Sequence, residues 1–161
     1  MNIMKKLILL TAIVYLTIGL TSCSKDESSS TPPTNKELLT SKIWKVTSKI
    51  ITPSMSLGGF EVSNILTLES EEVRNYSFKY NMDGTLFQYD YLNALIFQTG
   101  WSISSDQTQV TFTQPLIYTY PIVGDLSMTS FKIQSITTVQ MVATIDFLYE
   151  GINYVVTITF I

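Results

Sequence analysis

QMVATIDFLY, Gln140 to Tyr149, then Glu150-Gly151, then INYVVTITFI, Ile152 to Ile161, decides the fold class. Both runs are dense in Val, Ile, Thr, Phe and Tyr, which suit a pleated, half-buried surface. A Glu-Gly pair stands between them where a tight turn is needed. The segment therefore reads as an antiparallel hairpin. Toward the N-terminus the same period-two signal recurs. Phe131 and Ile133 mark one strand, and Ile117 to Val123 another, which Pro121 places at an edge, a bulge or a bend. Val110 and Phe112 are expected to point inward after a turn at Asp106-Gln107. Phe97, Thr99, Trp101 and Ile103 alternate with Gln98, Gly100 and Ser102. Tyr76, Phe78 and Tyr80 alternate with Ser77 and Lys79, and Thr85, Phe87, Tyr89 and Tyr91 with Leu86, Gln88 and Asp90. Between those two runs Asp83-Gly84 gives a two-residue turn signal, since both residues tolerate positive φ. Over Ile43 to Thr52, Trp44, Val46, Ser48 and Ile50 are expected to face a core, with Lys45, Thr47 and Lys49 in water.

Eight or nine short strands with tight turns imply an all-β fold, either closed on itself or folded into a sandwich. Closure removes exposed edges, which on so apolar a chain invite aggregation. The expected architecture is an antiparallel up-and-down β-barrel of about eight strands with at most one short helix. The one helical candidate is Glu61 to Val73, with Val62, Ile65 and Leu66; an irregular crossover is the alternative.

Composition limits the chemistry. The 161 residues are 45% hydrophobic and only 14% charged, which excludes a disordered polymer as the main body. A net charge of -3 argues against electrostatic nucleic-acid binding. The absence of histidine excludes every histidine-based triad and every histidine-ligated metal. A single cysteine allows no internal disulfide. Asp83 and Asp106 read as turn residues, and Glu69, Glu71 and Glu72 as a solvated acidic face rather than a calcium site. No catalytic residue, metal or cofactor is expected, and the chain does not read as an enzyme.

Residues 1–22 differ from the rest. Lys5 and Lys6 precede an uncharged, mostly apolar run from Leu7 to Leu20, a length that suits a signal-peptide core and is short for crossing ~30 Å of hydrocarbon. The run ends in Leu20-Thr21-Ser22-Cys23, which resembles a bacterial lipobox. That resemblance implies cleavage before Cys23, with a diacylglycerol on the thiol and an acyl chain on the new amine. A thiol is the natural nucleophile for such a thioether, and several acyl chains give stable anchoring. The alternatives are an ordinary secretory signal with an incidental cysteine, or a transmembrane anchor. Residues 23–37 form a Ser/Thr/Pro-rich linker without a large apolar residue before Leu38. Its Ser24-Lys25-Asp26-Glu27 resembles the lipoprotein export signal of Bacteroidota-type bacteria, which implies an outer-membrane protein displayed at the cell surface, the periplasmic face being the alternative. A solvated, charged linker start is the plainer reading. Removing residues 1–22 takes away two lysines and no acid, leaving 8 basic against 13 acidic residues, net -5. So acidic a body does not bind anionic membranes electrostatically, and the lipid must hold it there.

Residues 38–161 resemble the lipocalin-like domains of Bacteroidota lipoproteins. The matching pieces are LLTSKIWKVTS from Leu38 to Ser48, Tyr76-Ser77-Phe78 leading to Asp83-Gly84-Thr85, and Thr99-Gly100-Trp101-Ser102-Ile103-Ser104. Two features depart from the family: Ser41 and Lys42 stand where a glycine often precedes the first tryptophan, and no cysteine lies near the acidic segment. The resemblance implies a monomeric lipocalin-like barrel that binds a small apolar or amphipathic molecule. Trp44, Phe78, Tyr80, Phe87, Tyr89, Tyr91 and Trp101 are the expected interior rings. An eight-stranded barrel is just wide enough for them either to line a ligand cavity or to fill the space as a packed core. The second case implies a surface-displayed interaction module. Its partner surface is expected around Ser54 to Phe60, where Met55, Leu57 and Phe60 form an apolar patch among glycines.

Overall fold

A computed structural model describes residues 31–120 and 124–161. The lipobox, Cys23, the Ser24–Glu27 motif and Pro121 lie outside the described residues. Nine antiparallel strands are present among those described: β1 (Ile43–Leu57), β2 (Phe60–Asn64), β3 (Ser77–Tyr80), β4 (Thr85–Tyr89), β5 (Leu95–Ile103), β6 (Gln109–Tyr120), β7 (Gly124–Ile136), β8 (Met141–Tyr149) and β9 (Ile152–Phe160). Each strand from β3 to β8 pairs with the next, and β1 pairs with both β3 and β9, so eight strands close into a barrel. β2 is an added ribbon on β1. Val110–Phe112 and the described part of the next expected strand, Ile117–Tyr120, belong instead to one strand, β6, whose register against β7 shifts between Thr111 and Leu116.

The β8–β9 hairpin is as its sequence requires. Tyr149 pairs with Ile152, and Glu150 and Gly151 both adopt positive φ, the two-residue turn whose twist matches its strands. The β3–β4 turn differs from its expectation. Tyr80 pairs with Leu86 and only Gly84, not Asp83, has positive φ, so the loop has three residues, Met82 to Gly84. One added loop residue moves the register by one and turns the opposite face of β4 inward. Leu86 and Gln88 are therefore buried, and Phe87 and Tyr89 lie on the other face. Asp83 stabilises this wider turn by accepting hydrogen bonds from the Thr85 backbone N–H (2.9 Å) and hydroxyl (2.7 Å).

β1 holds a second correction. Val46 pairs with Phe160 but Ser48 with Thr159, so Thr47 is one residue too many for its partner strand. This is a β-bulge. Before it, Trp44 is buried and Lys45 exposed, as expected. After it the faces exchange: Lys49 and Ile51 are buried, and Ile50 is 40% exposed.

Among the described residues two short α-helices and one 3-10 turn accompany the strands, against the single helix expected. The segment read as a helix from Glu61 to Val73 divides into the end of β2, a 3-10 turn at Ile65–Leu68 capped by the Asn64 side chain, and a short helix, α2, at Glu71–Arg74 capped by Ser70. The other helix, α1 (Asn35–Thr40), begins inside the stretch read as linker. Thr34 and Glu37 cap it reciprocally, satisfying two backbone N–H groups that the first turn leaves free. α1 lies across the barrel end formed by the β3–β4, β5–β6 and β7–β8 turns. Asn35 donates to the Gln107 carbonyl, Thr40 to the Met82 sulfur, and the following Lys42 to the Val139 carbonyl.

Candidate functional site

The interior at the α1 end is solid. Trp44, Phe78, Tyr80 and Trp101 are all buried there, joined by Phe112, which was expected to point inward, and by Phe131 and Phe160. Tyr80 packs edge-on against Trp101 (ring centroids 5.4 Å apart) and against Phe131 (6.5 Å), and Phe160 bridges Phe131 and Phe78 at 6.4 Å each. Edge-to-face rings at these spacings fill space well. Both tryptophans find acceptors for their N–H groups, the carbonyls of Leu39 (2.7 Å) and Thr85 (3.1 Å). Beside Trp101, Gly100 is required for a steric reason: a Cβ there would lie 2.5 Å from the Thr113 hydroxyl. Four of the seven expected rings are thus brought together, as core. Phe87 and Tyr89 pack on each other on the opposite face of β4, 6.3 Å between centroids, and Tyr91 beyond its end is half exposed. Those three do not line the interior. The Ser54–Phe60 patch is corrected too: Met55 and Leu57 are core residues, and only Phe60 of the three is exposed.

Polar chemistry collects at the other end of the barrel, on residues the sequence reading placed in water. The bulge at Thr47 turns Lys49 inward, where it is 4% exposed. Glu69 stands in extended conformation between the 3-10 turn and α2, a position that separates it from exposed Glu71 and Glu72 and buries it. Lys49 Nζ donates to Glu69 Oε1, and the Tyr120 hydroxyl donates to the same oxygen at 2.6 Å. The Lys49 ammonium also sits 4.1 Å from the centroid of the Tyr118 ring, within range of its negative face. Glu69 Oε2 is buried with no protein partner.

Burial holds the Lys49 ammonium below the usual lysine range, with the Glu69 charge opposing. Burial likewise pushes the Tyr118 and Tyr120 hydroxyls up, helped in both by the Glu69 charge and in Tyr120 by the hydrogen bond itself. A buried ion pair of this kind is weak evidence for stability, because desolvation offsets the attraction. A partly open cleft of about 80 Å³ runs past it, walled by Lys49, Ile65, Tyr118, Leu126, Val156 and Ile158 among others. It offers one basic residue, Lys49, and one acidic residue, Asp146, on a mostly apolar wall. Among the described residues no three His, Cys, Asp or Glu side chains are grouped to hold a metal, and no helix is long and apolar enough to cross a membrane. No protein-family model matches the chain, and no curated protein proved similar to it.

The sequence carried two signals for this site. Lys49 is followed in β1 by an apolar and hydroxyl-bearing stretch with no further charge, and Tyr118 and Tyr120 share a face of β6 by period two. Nothing in the pattern betrays the extra residue at Thr47 that turns Lys49 toward them.

Proposed function

We propose that the protein is a lipid-anchored outer-membrane lipoprotein, acylated at Cys23 and displayed at the cell surface, whose barrel holds a small amphipathic molecule. The molecule's place is the cleft beside Lys49, not the aromatic centre, which is full. The observation that carries this reading is a buried lysine on the wall of a mostly apolar cleft, whose polar lining is otherwise Tyr118, Tyr120, Ser127 and Asp146. An apolar body can lie against Ile65, Leu126, Val156 and Ile158 while a polar end meets Lys49. A fluorescent apolar probe added to the full-length protein in detergent is expected to bind saturably. Lys49→Met is expected to weaken binding of probes with a polar head, and Phe87→Ala to leave it unchanged. Absence of saturable binding would end the ligand reading. For the anchor, Cys23→Ala is expected to release the protein from membranes, and continued membrane association contradicts it.

A second reading is an interaction module with a fully packed barrel. Its support is a set of exposed apolar residues at the turns opposite α1: Phe60 at β1–β2, Leu92 and Leu95 at β4–β5, Leu148 and Ile152 at β8–β9. Substituting Phe60, Leu92 and Leu148 together by serine separates the readings, since partner capture from envelope extract is lost only under the second.

A further inference from the structure

The Lys49 ammonium has three N–H groups, and the protein around it supplies one acceptor, Glu69 Oε1, together with the face of the Tyr118 ring. Among the described residues it is the buried lysine, the others being half-buried or exposed. Lys49 lines the cleft, whose remaining surface is mostly apolar with Asp146 as its one acidic residue. The surroundings therefore suit a nitrogen that is cationic but bears a single hydrogen. A protonated imine has that form. We infer that Lys49 captures a small aliphatic aldehyde in the cleft as a protonated imine, with Glu69 as its counter-ion.

The step balances without any redox partner. An ammonium and an aldehyde give a protonated imine and water; the carbonyl C–O bond breaks, a C–N bond forms, and two of the three nitrogen hydrogens leave in the water. The nitrogen carries a positive charge before and after, so both the Glu69 ion pair and the Tyr118 ring contact persist, and no uncompensated charge is left buried. Attack needs the free amine. Glu69 takes the first proton from Nζ, and returns it to the carbinolamine hydroxyl as that leaves. Glu69 Oε2, which has no protein partner, is a second oxygen on which the proton can rest. Burial favours the neutral amine, the general route by which lysines become nucleophiles. The alkyl chain lies along Ile65, Leu126, Val156 and Ile158.

This inference rests on the reading of the cleft as a small-molecule site. Its test uses the full-length protein with hexanal and cyanoborohydride, which reduces the imine to a stable alkylamine, followed by peptide mass mapping at early times. Lys49 is expected to be alkylated about tenfold faster than exposed Lys45, Lys79 and Lys132, with saturation in aldehyde. Glu69→Gln is expected to slow the Lys49 reaction, and Lys49→Arg to remove the fast phase. Mapping on the unaltered protein keeps the test valid if either variant fails to fold. Labelling of Lys49 no faster than the exposed lysines overturns the inference. Hexanol, which has the chain without the carbonyl, then decides how much falls: displacement of the fluorescent probe by hexanol leaves the cleft reading standing, and no displacement removes both.

Discussion

The two halves of β1 are built from similar residues and end up in opposite situations. Before Thr47, Trp44 enters the core, its neighbour Lys45 stands in water, and the strand pairs with β3 and β9. After Thr47, a second lysine four residues on, Lys49, is buried, Ile50 faces out, and the strand has exchanged β3 for β2. One extra backbone residue separates the half that keeps its lysine in water from the half that buries one beside Ile51. A lysine's fate is set here by strand register, because the period of side-chain direction is two and one insertion inverts all that follows.

The largest effect is expected from Lys49→Met, in the second half. Leaving Glu69 buried without its partner is expected to cost about 3–5 kcal/mol in denaturant unfolding, whereas Lys49→Met combined with Glu69→Leu recovers most of it. If the double variant is as unstable as the single, the ion pair holds the barrel together rather than being tolerated by it.

Alkaline titration distinguishes the halves differently. Burial raises the hydroxyl pKa of Tyr80, near the first half, and of Tyr118 and Tyr120, beside the second. Unfolded tyrosines lose their protons near pH 10 while these three keep theirs, so their contribution is complete below about pH 10 and is lost as pH rises beyond it. Lys49, held low in the folded state, works the other way in that window, since there the unfolded chain binds the extra proton. Three against one leaves a net fall, about 1.4 kcal/mol per pH unit for each excess proton held by the folded form. Stability that is flat or rising from pH 10 to 11 would contradict the burial of the tyrosines. Smallest is Lys45→Met, expected to change stability by no more than about 0.5 kcal/mol. A larger loss would erase the contrast with Lys49.

What the sequence made legible follows the same division. The β8–β9 hairpin was readable because Glu150-Gly151 leaves one economical turn, and its register follows from that turn. β5 was readable because Trp101 and its alternating neighbours have no bulge among them. Faces were lost where backbone detail intervened. A three-residue loop at Met82–Gly84 inverted β4, and the extra Thr47 inverted half of β1; neither event changes the hydrophobic pattern by which strands are recognised. α1 did leave a mark, the Thr34-Asn35-Lys36-Glu37 capping box, which was obscured by the polar stretch before it. The Lys49–Glu69 pair left almost none. Its members are twenty residues apart and meet only because a bulge and a 3-10 turn act together.

The seam between β1 and β9 joins residues as far apart as Thr47 and Thr159, 112 positions along the chain. Pairings so distant in sequence incur loop-closure entropy before they return any contact, and they make for slow folding. Until β9 arrives, one edge of β1 is bare along its whole bulged half, and Lys49 and Ile51 have no interior to enter. An unpaired strand edge is a template for pairing with another chain, so the seam with β9 also removes an aggregation site.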